Sequence, residues 1–237
     1  MHFSVITPQD GQLRQAVHEL SLVPGSGRSA TPYAEHQWLW RFFPSEQDQR
    51  RDFIFRRYDL DGTPRFYVVS QRPPEELSTA WNVRTQSYAP LLNAGQRLSF
   101  ELLANPVVSK KDATGKSRRH DVVMQAKKDA MDAHGVKAWK DWTPDEGRPD
   151  MYTMVQEECL RWLEARGLTN GFSIVSARVE EYQQKIAGAR AIRFSTVNFT
   201  GELEVTDALL FEQALFNGIG HAKAFGCGLF LVHRMEG

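Results

Sequence analysis

A chain of 237 residues is long enough for one large domain or two small ones, and its 41% hydrophobic and 11% aromatic content provides for a packed core. The formal net charge is zero, with 29 basic and 29 acidic residues, which excludes a protein that coats nucleic acid over its whole surface and leaves room for a local basic groove. No apolar run approaches the ~20 residues of a membrane span. Residues 1–8 lack the basic start and the apolar length of a signal peptide. We therefore expect a cytoplasmic protein with no membrane partner. Cys159 and Cys227 stand far apart, give neither a disulfide framework nor a zinc spacing, and read as small buried hydrophobes.

Residues 2–7 read as a short strand, and 10–20 as a helix with Leu13, Val17 and Leu20 at helical spacing and His18 on its surface. A loop follows over 23–31. The segment 31–44, TPYAEHQWLWRFFP, has the marks of a helix. Thr31 suits the N-cap, Pro32 the first helical position, and Pro44 the stop. Trp38, Leu39, Phe42 and Phe43 share one side; Tyr33, Gln37 and Arg41 fall on the other; His36 and Trp40 lie on the border. Tyr33 and His36, three apart, are surface neighbours. Taken alone, a Tyr-x-x-His pair is most often part of a core helix with a satisfied histidine. The alternative is a site offering a phenol, an imidazole and a guanidinium.

Residues 52–58 and 65–71 form a hairpin around a turn at 59–64, Pro73-Pro74 interrupts, and 81–88 is a fourth strand. Strand, helix, strand, strand, connection, strand is the ferredoxin-like order with its second helix reduced to a stub. Asn93-Ala-Gly95 divides an N-terminal unit, 1–93, from a C-terminal unit, 95–237. Residues 96–108 read as one long strand with Leu98, Phe100 and Leu102 alternating. It runs into a basic loop. Between 110 and 128 stand seven cations (Lys110, Lys111, Lys116, Arg118, Arg119, Lys127, Lys128) against Asp112 and Asp121. Such a run is either a solvated surface or a clamp on phosphates. Residues 135–150 are a surface connection, and 151–166 a helix ended by Gly167. Strands cover 172–182 and 191–205. Thr206 or Asp207 caps a helix to about 216, and 226–233 is the last strand. The fold expected is α+β, two tandem ferredoxin-like (RRM-like) domains.

Between that last helix and strand lie Gly218, Gly220, Gly226 and Gly228. They let the backbone take positive φ and approach a ligand closely. Exposed N–H groups there, with Lys223, could hold a phosphate. No Gly-Lys-Ser/Thr follows, so it is no Walker A loop. It follows a helix and leads to a strand, so it is no dinucleotide fingerprint. The alternative is a packing loop in which helix and strand cross tightly.

These segments together resemble the CasE family, the CRISPR RNA-processing endoribonucleases of type I-E systems. The likeness spans nearly the whole chain. It rests on Tyr33-x-x-His36-x-x-Leu39-Trp40-x-x-Phe43-Pro44, Arg51-Asp-Phe-Ile-Phe55, Phe100-Glu-Leu-Leu-Ala-Asn-Pro106, Arg118-Arg-His120, Phe199-Thr-Gly-Glu-Leu203 and Gly218-Ile-Gly-x-x-Lys223-x-x-Gly226-x-Gly228-Leu229. The resemblance implies tandem ferredoxin-like domains that bind the stem-loop of a CRISPR repeat RNA and cut at the base of the stem. It further implies retention of the product hairpin as a subunit of Cascade, with other Cascade subunits as partners and no metal or other cofactor. The ribose 2′-hydroxyl attacks the adjacent phosphate, leaving a 2′,3′-cyclic phosphate and a 5′-hydroxyl. His36 then moves a proton, as base or as acid. Tyr33 orients the sugar or shares that role, and Arg41 stabilises charge on phosphorus. Lys110, Lys111, Lys116, Arg118 and Arg119 become a clamp on the duplex, and Gly218, Gly220 and Lys223 contacts near the cut strand. A non-catalytic hairpin-binding subunit of the same fold is the alternative. A metal-dependent nuclease is disfavoured, since no His/Asp/Glu cluster has ligand-like spacing. The segment of about 8–30 is longer than the family pattern, which leaves open whether it covers His36 or meets another subunit.

Overall fold

Strand β1 (His2–Pro8) alternates as its sequence directs, with Ser4 and Ile6 turned into the protein. The computed structural model describes residues 1–21, 32–44, 51–111, 114–187 and 192–235; the loop expected over 23–31, with its cap Thr31, lies outside them. Helix α1 (Leu13–Ser21) buries Leu20 as expected, together with Ala16, whereas Leu13 and Val17 are exposed. Helix α2 (Pro32–Trp40) buries Trp38 and Leu39. It ends three residues before Phe43, where Arg41, Phe42 and Phe43 tighten into i→i−3 bonds, and Phe42 and Phe43 stay buried.

Strands β2 (Phe53–Leu60) and β3 (Thr63–Ser70) make a hairpin tighter than expected. Asp61 and Gly62 alone form the turn, both at positive φ (50° and 73°), the combination that matches the twist of a two-residue hairpin. After β4 (Trp81–Ser87) the sheet is complete, in the order β2-β3-β1-β4 with antiparallel neighbours throughout. No helix forms between β3 and β4. The core under this sheet is aromatic: Trp38 meets Trp81 at 4.4 Å, Phe42 at 4.8 Å and Phe66 at 5.0 Å between ring centroids.

The second set repeats the pattern. Strand β5 (Arg97–Ala104) buries Leu98, Phe100 and Leu102, then stops, because Pro106 cannot donate to a ladder. What was expected as the end of one long strand is a separate strand, β6 (Val107–Lys111), paired with β7 (Ser117–Asp121). The basic run is thus a two-stranded ribbon rather than a loop. Helix α3 (Val122–His134), which the charge pattern concealed, follows directly, with the Asp121 carboxylate accepting from the Met124 N–H at its start. Helix α4 (Met151–Asn170) runs three residues past the expected stop at Gly167. A Cβ at Gly167 would lie 2.4 Å from the Phe172 carbonyl oxygen, so that glycine permits close packing, and Gly171 at φ 74° is the residue that ends the helix.

Strands β8 (Phe172–Ala187) and β9 (Ile192–Val205) form a long hairpin, Asp207 caps α5 (Ala208–Asn217), and β10 (Phe230–Arg234) closes the sheet. Its order is β10-β5-β9-β8, antiparallel throughout. Numbered within each set, both sheets read 4-1-3-2, the ferredoxin-like order, so the fold is two tandem ferredoxin-like domains. Cys159 and Cys227 are buried and unbridged.

The two sheets are joined through β2. Phe53 and Phe55 point to α2, while Ile54 and Arg56 point to the second sheet. Ile54 packs with Val69 and Leu229. Arg56 donates to Asn198 Oδ1 of β9 at 2.9 Å and to Glu101 Oε2 of β5 at 3.3 Å, with its side chain only 4% exposed. Replacing Arg56 by Ala removes both bonds and opens a void between the sheets. The expected loss of unfolding free energy is about 3 kcal/mol, read by urea denaturation; a loss below about 1 kcal/mol would mean that the apolar contacts alone hold the seam.

Candidate active site

Helix α2 presents His36 to the Phe53 and Phe55 face of β2, opposite the face that meets the second sheet. Its ring lies flat against Phe55, with centroids 6.4 Å apart and planes at 15°, and beside Phe53 at 5.9 Å. One turn on, Trp40 donates its indole N–H to His36 Nε2 at 3.0 Å. An indole N–H can only donate, so Nε2 carries the lone pair and the proton of the neutral ring belongs on Nδ1. Nδ1 is buried and has no hydrogen-bond partner. Burial, followed by the charge of Arg51, lowers the His36 pKa to about 4. The donated indole bond acts in the same direction, because an imidazolium has no lone pair to accept it.

Two ion pairs fix α2 against β2. Glu35, next to His36, turns to Arg57, with Oε1 accepting from Nη1 at 2.6 Å. Burial raises the Glu35 carboxyl and Arg57 pulls it back down. Asp52 accepts from Arg72 Nε at 2.6 Å, and Arg72 also donates to the Phe43 and Pro44 carbonyls, which clips the end of α2 to the start of β2. Glu35 and Asp52 are thereby committed to other arginines.

The glycine loop closes the site from the second domain. Gly218, Gly220, Gly226 and Gly228 have φ of 66°, 73°, 81° and 94°. A Cβ on Gly226 would sit 3.4 Å from the Phe55 ring, and one on Gly228 2.5 Å from the Ile219 carbonyl oxygen. Gly218 is buried with its N–H bonded to Ala214, and Gly220 lies against the Trp162 ring. Of the two readings of these glycines, packing is what Gly218 does: its N–H is not offered to a ligand. The short turn Lys223–Phe225 packs on α2 and β2. Lys223 is half-buried, and burial followed by the charge of Arg51 lowers its pKa.

On the ribbon, strand alternation divides the basic residues. Lys110 and Arg118 are cross-strand partners on one face, and Lys110 is paired with Asp129 at 3.0 Å. Lys111, Ser109 and Arg119 share the other face. Lys116 lies next to the turn of the ribbon and is exposed. The expected clamp is therefore two-sided, and Arg119 is the member that lines a cleft of about 720 Å³ with Asp121, Lys185, Arg193, Phe194 and His221. The His221 pKa is lowered by burial and then by the charges of Arg119, Arg166 and Lys223. A positive track thus leads from the cleft through His221, Lys223 and Arg51 to His36.

Sequence reasoning missed Arg51, Lys185, Arg193 and His221 as site residues. Arg51 and His221 lay inside motifs already singled out. Arg41 is exposed in the turn after α2. The backbone of Tyr33 is in the first turn of α2, and its side chain lies outside the described residues. Among the described residues, no three His, Cys, Asp or Glu are grouped to hold a metal ion.

Trp40→Phe tests the tautomer. Losing the indole donor frees Nε2 for a proton, so the His36 pKa should rise from about 4 toward the ordinary value. Histidine titration by NMR reads the change, and an unmoved titration would dismiss the Trp40 bond as a determinant.

A family model described as CRISPR associated protein matches residues 1–234. The chain is 28% identical over 203 residues to the CRISPR system Cascade subunit CasE of Escherichia coli K12, covering 83% of this chain and 89% of that protein. It is 27% identical over 216 residues to the CRISPR-associated endoribonuclease Cse3 of Thermus thermophilus, covering 86% and 90%. Among solved structures, Thermus thermophilus Cse3 bound to an RNA representing a pre-cleavage complex matches over 98% of each chain with a TM-score of 0.66 at 23% identity. Cas6e of Escherichia coli K-12 matches over 99% of this chain and 100% of its own, with a TM-score of 0.60 at 22% identity. The structural likeness carries the fold, and the sequence match along nearly its whole length places this chain in the family of CRISPR associated proteins.

Proposed function

We propose that this chain is a metal-independent endoribonuclease that cuts CRISPR precursor RNA at the base of the repeat stem-loop. The observation that carries the reading is His36, set at the seam of two ferredoxin-like domains where a positive track from the ribbon and the glycine loop ends. The relatives named CasE and Cse3 support it. The units 1–93 and 95–237 act together, because helix α2 comes from the first and the loop that closes on it from the second.

The nucleophile belongs to the substrate. The 2′-hydroxyl loses its proton and its oxygen bonds to the adjacent phosphorus; the bond to the 5′-oxygen breaks, and that oxygen takes up a proton. The products are a 2′,3′-cyclic phosphate and a 5′-hydroxyl. His36 performs one of the two proton transfers, for which its ring must exchange the Trp40 bond for the substrate. Tyr33 holds the sugar or shares the proton work, and Arg41 supports the charge that develops on phosphorus. The ribbon grips duplex phosphates, where A-form shape and backbone are read, and Lys223 meets the cut strand. The product hairpin stays bound, and the protein serves in the cytoplasm as a subunit of Cascade. The second reading, a hairpin binder that does not cut, draws on one observation: both His36 nitrogens are occupied or buried in this state.

An end-labelled repeat hairpin in excess chelator separates the two. Wild type should give one cut with a cyclic-phosphate end. His36→Ala should lower the rate by about 10³-fold while hairpin affinity is kept. An equal fall in binding would return His36 to a structural role, and tight binding without a cut by wild type would select the binder. Arg119→Ala should lower the log–log salt slope of binding by about one. An unchanged slope would leave the inner face of the ribbon as solvated surface.

A further inference from the structure

Among the described residues, the enclosure around His36 holds hydrogen-bond donors without acceptors to meet them. The Nδ1 of the histidine, protonated in the tautomer that Trp40 selects, is buried with nothing to donate to. Arg51 is half-buried at the start of β2 and Lys223 half-buried on the glycine loop, and neither has an ion pair among the described residues. Arg51 stands two residues before Phe53, whose ring lies 5.9 Å from that of His36, and the turn Lys223–Phe225 packs on both α2 and β2; the described carboxylates beside them, Asp52 and Glu35, belong to Arg72 and Arg57. A half-buried guanidinium flanked by a second cation and an unanswered N–H is matched by one kind of ligand, a compact anion with several acceptor oxygens.

We infer that Arg51 is a further catalytic residue, seating the scissile phosphate with its guanidinium on a non-bridging oxygen, with Lys223 beside it. This rests on the nuclease reading above and adds to it a residue that its motif alone did not single out. Arg51 follows directly on the segment that leaves α2, and the clip of Asp52 and Arg72 fixes its backbone beside the helix end. Its position is therefore set before substrate arrives, as charge stabilisation in a transition state requires. Arg41 remains on the exposed side, free to approach the same phosphate from the solvent edge.

The test uses a repeat hairpin with a single phosphorothioate at the scissile phosphate, its Rp and Sp forms separated, cut under single-turnover conditions at saturating protein. In wild type, sulfur on the oxygen that Arg51 holds should slow one diastereomer more than the other. Arg51→Ala should slow the oxygen substrate by about 10²-fold and close the gap between diastereomers. Arg51→Lys, which keeps the charge and loses the fork, should recover part of the rate. Hairpin affinity and melting temperature are measured on each variant. A gap of wild-type size in Arg51→Ala would overturn the assignment, as would a fall in melting temperature and affinity that parallels the rate. A wild type that cuts neither oxygen nor sulfur substrate would overturn the nuclease reading and this inference together.

Discussion

The Arg56 side chain, nearly sealed between the two sheets, is the constraint on which the rest of the arrangement depends. A guanidinium out of water is costly unless its donors find partners. Its Nη2 finds two, Glu101 and Asn198, on different strands of the second sheet, while Nη1 is buried without a partner among the described residues. The two bonds fix the distance and the register of β2 against that sheet at once. Because strand side chains alternate, fixing Arg56 and Ile54 on one face fixes Phe53, Phe55 and Arg57 on the other. Phe55 carries the His36 ring and the Gly226 backbone, and Arg57 carries Glu35. A single strand thereby sets where helix α2 lies and where the glycine loop of the other domain meets it. Leucine or valine at position 56 would bury as well, but would leave the lateral register to shape alone.

Zero net charge conceals a segregated surface. Along the track from Arg119 through His221 and Lys223 to Arg51, burial and then the charge of Arg119 lower the proton affinity of His221, and burial and then the charge of Arg51 lower that of Lys223. Acidic groups answer cations elsewhere: Asp129 on the outer ribbon face, Glu101 at the seam, Asp59 and Glu35 around Arg57. Arg57 and Arg72 are met by carboxylates, whereas among the described residues Arg51 and Lys223 have no ion pair. Folding alone gives no reason for that difference, since paired cations are cheaper to bury. A polyanionic ligand does.

Much of this was legible from periodicity. Period-two runs gave β1, β4, β5, β8 and β9, and Asp207 marked the start of α5, because these signals are local. What escaped was decided by contacts. The charge density of 109–120 hid a ribbon whose pairing is satisfied by backbone, whatever the side chains. Gly167 looked like a helix stop, but what sets that position is the Phe172 carbonyl, close in space and beyond the helix in sequence. At the candidate site, Tyr33-x-x-His36 singled out helix α2, and the same helical geometry made the i,i+4 contact of His36 with Trp40 available to see. Arg51 stood in a recognised motif without a role, because its meaning comes from Lys223, more than 170 residues away in the sequence.

The neutral histidine and the unpaired cations describe one electrostatic state. With a pKa of about 4 in the fold and the ordinary value when unfolded, His36 binds more protons in the unfolded chain across that interval. Its contribution to stability is therefore complete above the ordinary value and is lost as pH falls toward 4. At neutral pH it is uncharged in both states and costs the fold nothing as an ion. The electrostatic cost at neutral pH lies instead in Arg51 and Lys223, half-buried cations with no ion pair among the described residues. A phosphate between them would relieve that cost and would replace the positive potential at His36 with a negative one, raising its affinity for a proton. Linkage makes the effect reciprocal: the anion that makes His36 more basic is bound more tightly when His36 is protonated. The histidine is thus kept neutral first by burial and then by the charge of Arg51, one of the cations that would recruit the group on which it acts.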